Sequence, residues 1–149
     1  MVERLAIAAA LCLSQCALRD ASIHHGFSTS DGREYHFEDR ALRIDLVLEP
    51  QSLSIEWRNK GFRTMTVSHD ELALMADDEA LTLWGEPVAG NERLAQMPPI
   101  VVLPDHFVSL SYPVRFRSAL NHSDQLGMRF TARWEETRRD YQLTLRQAP

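Results

Sequence analysis

Thiols are almost absent from this chain. Its only two cysteines, Cys12 and Cys16, both fall within the first sixteen residues. Whatever folds after them has no disulfide to draw on, so its stability must come from an apolar core. Lysine is rarer still, with Lys60 alone against fifteen arginines, a bias common in GC-rich genomes. No basic excess exists to displace counterions from nucleic acid, because the net charge is -5. Long hydrophobic runs are missing as well. The longest, residues 5–13, holds nine residues and would rise only ~14 Å as a helix, about half a bilayer core. There is no Gly-x-Ser-x-Gly elbow, no His-Glu-x-x-His and no phosphate-cradling glycine loop. Ser68, His69 and Asp70 are neighbours, but a triad is made in space and not by adjacency.

What is present begins with the address. A short head carrying Arg4, the run over residues 5–13, and charge returning at Arg19 and Asp20 have the layout of a secretory signal. At its end, Leu13-Ser14-Gln15-Cys16 resembles the lipobox of bacterial lipoproteins, with Gln15 where that pattern usually has Gly, Ala or Ser. The resemblance implies cleavage before Cys16 and acylation of its thiol, leaving a mature chain of about 130 residues with no free thiol. Ala17 takes the position where an Asp holds enteric lipoproteins at the inner membrane. It therefore implies an outer-membrane protein facing the periplasm or the cell surface. The expected organisation is a signal peptide over 1–15, a lipidated cysteine and flexible tether over 16–31, and one domain over 32–149.

From Gly32 onward the chain alternates with period two. Tyr35 and Phe37; Leu42, Ile44, Leu46 and Leu48; Leu53, Ile55 and Trp57; and Met65 and Val67 are each interleaved with polar residues. So are Val108, Leu110, Tyr112 and Val114; Met128, Phe130, Ala132 and Trp134; and Tyr141, Leu143 and Leu145. One dry face and one wet face mark half-buried antiparallel strands. A turn through Arg138 and Arg139 is expected to close a C-terminal hairpin. Residues 85–99 read as a long loop and residues 70–76 as at most two turns of helix. Seven to nine short strands without a long helix or a repeat predict a single antiparallel β-sandwich, immunoglobulin-like. Residues 31–39 and 53–61 resemble the opening strands of small bacterial lipoproteins whose sandwich follows directly behind a lipidated cysteine.

Three groupings could carry function. His24, His25 and His36, with Asp20 nearby, are the candidate ligands for zinc or copper; solvated polar residues are the plainer reading, and no cofactor is expected. Met65 and Met128 fall on the apolar phase and read as core filling rather than copper ligands. Arg43, Arg129, Arg133 and Arg146 lie on the polar phase of their strands, and would form an interaction face, joined by Arg115 and Arg117, if the C-terminal hairpin paired beside residues 108–116. The expectation is a non-enzymatic structural or protein-binding module with a membrane anchor and an envelope protein partner. The alternatives are a metal-handling protein, or an inhibitor presenting the 85–99 loop to a secreted protease or lysozyme.

Overall fold

The computed structural model describes residues 19–29, 32–49, 51–77, 79–114 and 126–146, with side chains at all of these except 19–29, 32, 33 and 146. The signal, Cys16, Arg115 and Arg117 lie outside the described residues. The fold is all-β and sandwich-like. Eleven strands run in chain order: β1 Arg19–Thr29, β2 Gly32–Glu38, β3 Leu42–Leu48, β4 Ser52–Asn59, β5 Met65–Val67, β6 Ala73–Ala76, β7 Glu79–Leu81, β8 Ile100–Val102, β9 Phe107–Pro113, β10 Leu126–Trp134 and β11 Thr137–Arg146. A 3₁₀ turn occupies His69–Glu71, and a four-residue helix, α1, Arg93–Gln96.

The strands hydrogen-bond in the order β7-β6-β10-β11-β1-β2-β3-β4-β9. β10 is shared on its other edge, taking β6 along residues 126–129 and β5 along residues 132–134, with β8 beyond β5. This continuous path folds over so that the inner faces of β2, β3, β4 and β9 meet those of β5, β6, β10 and β11. Trp57 stands edge-on to Phe130 at 5.1 Å, Phe37 edge-on to Tyr141 at 5.9 Å, and Phe130 stacks on Tyr141 at 4.7 Å. The middle strands β2, β3 and β4 form a consecutive meander.

The period-two alternation maps onto burial. Leu42, Ile44 and Leu46 of β3, and Leu53, Ile55 and Trp57 of β4, are inaccessible or nearly so, as are Met128, Phe130 and Ala132 of β10. Leu48, Val108 and Leu110 are partly buried against the same core. Each fully buried Leu, Ile, Met or Phe among them contributes roughly 1.5–3 kcal/mol by leaving water.

Four local expectations are corrected. Residues 19–29, expected within a tether, form β1, which pairs in parallel with β11 and antiparallel with β2. The backbone groups of two otherwise open strand edges are thereby satisfied. Residues 70–76 do not make two helical turns. After the 3₁₀ turn they extend as β6, since a helix that short is marginal whereas the edge of β10 offers a full ladder. The hairpin turn is Glu135 and Glu136, left over by the pairing of Trp134 with Thr137, and Glu135 takes the left-handed conformation at φ 51°. Arg138 and Arg139 belong to β11. Finally, the 85–99 loop carries α1, whose Leu94 is buried.

Candidate functional site

Strand register lines up a transverse row across β1 to β9, and from His36 onward its side chains lie on the outer face. His24 of β1 is paired with His36 of β2, His36 with Asp45 of β3, Asp45 with Glu56 of β4, and Glu56 with Ser109 of β9. Directly opposed residues of antiparallel strands share a face, with Cβ atoms about 5 Å apart. His36 Nδ1 lies 2.6 Å from Asp45 Oδ1, and Arg43 Nε donates to Asp45 Oδ2 at 2.8 Å. Partial burial pushes the Asp45 carboxyl up, but hydrogen bonds from Arg43 and His36 outweigh it and hold the group below the usual range. Glu38 is lowered chiefly by its hydrogen bond from Lys60 and by that ammonium's charge. His25 takes a different register position, opposite the buried Tyr35. Among the described residues no three His, Cys, Asp or Glu side chains are grouped to hold a metal.

The arginines separate. Arg43 lies on the outer face of β3, whereas Arg129 and Arg133 lie on the outer face of β10 in the opposite layer. β9 pairs with β4 and not with the β10–β11 hairpin, so the expected single arginine face does not assemble. Arg146 ends β11 opposite His24 in register. Arg133 is bound from both guanidinium nitrogens to the carboxylate of Glu71, with Nη2 to Oε1 at 2.6 Å. That hydrogen bond lowers the Glu71 carboxyl below its usual range. Beside it, Thr131 Oγ1 donates to Asp140 at 2.7 Å, and Arg138 also reaches Asp140. Arg129 is exposed and makes no ion pair among the described residues. It is therefore the one member of the expected set with a described side chain and a free charge.

Two features escaped the sequence reading. The first is Asn59, wholly inaccessible at the end of β4. Its Oδ1 accepts from Gly61 N at 2.9 Å and Trp134 Nε1 at 3.0 Å, while its Nδ2 donates to Arg63 O at 2.7 Å and Val102 O at 3.0 Å. Its backbone N–H donates to His106 O. Its signal was legible, for it is a polar residue on the apolar phase after Trp57. The second is what Asn59 ties together, the 60–64 and 103–106 connections, which bear exposed Phe62 and Leu103 and lead into exposed Phe107 at the start of β9. Apolar residues in a strand break or off phase carry no periodic signal.

Met65 and Met128 are fully buried in the core. His69 is buried, with its Nε2 3.1 Å from Tyr112 Oη. Burial lowers its pKa, offset in part by the nearby Pro98 backbone and the charge of Asp70. An open depression of about 490 Å³ lies along residues 86–93. No helix among the described residues is long and apolar enough to cross a membrane. The class that fold and surface define is an all-β sandwich with paired charges on both outer faces. Compared with family models, with curated proteins and with solved structures, the chain finds no match.

Proposed function

We propose that this chain is a non-enzymatic lipoprotein of the cell envelope, held in the outer membrane by acyl chains on Cys16. Its sandwich acts as a structural or protein-binding module, without cofactor. The observation that carries the reading is Leu13-Ser14-Gln15-Cys16, which closes an apolar run of nine and sets Cys16 three positions ahead of the first strand. A sandwich with no thiol needs no redox chemistry of its own, and an anchored module gains effective concentration for weak contacts. Arg129, exposed and without an ion pair among the described residues, is the residue of the expected arginine set best placed to meet an acidic partner. Labelled palmitate should enter the wild-type protein and not Cys16→Ser. Equal labelling of both, or none in an exported wild type, overturns the anchor. A crosslinked partner should be lost on Arg129→Glu with no change in melting temperature; an unchanged crosslink rules that residue out.

A second reading, metal handling, is favoured by one observation, the cross-strand register of His24 with His36 beside Asp45. It predicts zinc or copper binding that His36→Ala removes. Isothermal titration showing the same weak binding in both proteins would dismiss it.

A further inference from the structure

Several chain features converge on one end of the sandwich. β1 begins there, since Arg19 is level with Tyr141, whose hydroxyl donates to Asp39 in the β2–β3 turn. Lys60 N donates to Ala41 O in that same turn, which brings the 60–64 loop alongside. Arg63 reaches Glu135 in the hairpin turn at 2.9 Å. Asn59 then binds the 103–106 turn to the 60–64 loop through Val102, His106 and Arg63. On this end Phe62 is 97% exposed, Phe107 61% and Leu103 54%. Most of the large hydrophobic exposure among the described residues is thus collected on the 60–64 loop, the 103–106 turn and the first residue of β9.

Cys16 precedes Arg19 by three residues, a reach of at most about 11 Å. β1 and β4 are three strand spacings apart, about 14 Å. An anchor at Cys16 would thus hold this end, and not the opposite one, against the membrane. We propose that this end is a bilayer-docking face, an inference that rests on the lipid-anchor reading. Phe62, Leu103 and Phe107 enter the interfacial layer, where aromatic side chains are favoured. Arg58, exposed and opposite Phe107 in register, meets the headgroup phosphates. The acyl chains then fix orientation as well as location, with the β2–β3 and β10–β11 outer faces standing clear.

The test uses the full chain in phosphatidylethanolamine–phosphatidylglycerol vesicles, with nitroxide labels on Phe62→Cys and, at the opposite end, on Gln51→Cys. The label at 62 should collide with oxygen more, and with a water-soluble nickel chelate less, than the label at 51. In addition, Phe62→Ser should weaken vesicle binding of the non-acylated Cys16→Ser chain roughly tenfold or more, as expected for losing one buried aromatic. Equal aqueous exposure at both labels, with mass spectrometry finding acyl chains on Cys16, overturns the docking face and leaves the anchor standing. A membrane-shielded label at 62 on a chain without acyl groups upholds the face and overturns the anchor. Spin–spin broadening at 62 in place of oxygen contact overturns the proposal in favour of a second copy covering this end.

Discussion

Asn59 and Trp57 face the same core two residues apart, and they fail differently when truncated. Trp57 is wholly buried against Phe130, so Trp57→Ala leaves a cavity and should cost about 3–5 kcal/mol in denaturant melts. Asn59→Ala removes little volume. It leaves Trp134 Nε1 without its Asn59 acceptor and the carbonyls of Arg63 and Val102 without their side-chain donor, which at roughly 1–3 kcal/mol for unsatisfied buried groups predicts a loss of about 2–3 kcal/mol. Asn59→Asp should be no better, because it restores the acceptor and lacks the two donated bonds. His69 sets a separate dependence on pH. Its folded pKa lies below its ordinary 6.5 because burial disfavours the charged ring. The unfolded chain therefore binds the proton first, and stability falls as pH drops below about 6.5. The lowered carboxyls of Glu71, Asp45 and Asp140 act later, losing their contribution only as pH falls below their ordinary values of 4.5, 3.8 and 3.8. His69→Phe should flatten the first stage of an acid-stability profile and leave the second. An unchanged profile would place the first stage on another group.

Strand β10 organises the second layer, because it carries β11 on one edge and both β6 and β5 on the other. Its one glycine sits where that crowding is greatest. A Cβ at Gly127 would lie 2.8 Å from Leu143 O, a contact that only a backbone shift relieves. Gly127→Ala should cost about 1–3 kcal/mol, the range for overpacking, and hydrogen exchange should quicken in β6 and β11 ahead of β3. The Arg133–Glu71 pair fixes the 3₁₀ turn to the same strand, half-buried and bidentate, and Glu71→Gln should cost about 1 kcal/mol. β3, β4, β10 and β11 were legible in the sequence because each has a long run with one dry face. β6 was not, since Leu72, Ala73, Leu74 and Ala76 are all buried and a strand covered on both faces loses its alternation. The arginine face failed for a related reason. Period two tells which side of a strand a residue occupies, but not which layer the strand joins, and Arg43 and Arg129 share the first property only.

At the scale of the whole molecule, β1 decides how the two layers are joined. It is the seam, paired with β11 on one side and β2 on the other, and among the described residues its backbone ladders are what carry the sheet from one layer into the other. Its sequence hid this role. Ala21, Ser22, Ile23, His24, His25 and Gly26 give neither a long apolar alternation nor a turn signal, so composition alone read as tether. Pairing here is earned by two strand edges that already exist, and edges are a property of the assembled fold. A chain starting at Gly32 keeps every core side chain among those described, from Tyr35 to Leu145. It should therefore still give a β-type circular dichroism spectrum. Without β1, however, the edges of β2 and β11 stand open, and open edges invite pairing with another chain. The prediction is a lower melting midpoint than for a chain starting at Ala17, together with concentration-dependent dimers or larger species in sedimentation velocity. Adding a peptide spanning residues 19–29 should restore both the midpoint and the monomer. If the shortened chain melts at the same temperature and stays monomeric at every concentration, β1 is dispensable and the layers are held by their core alone.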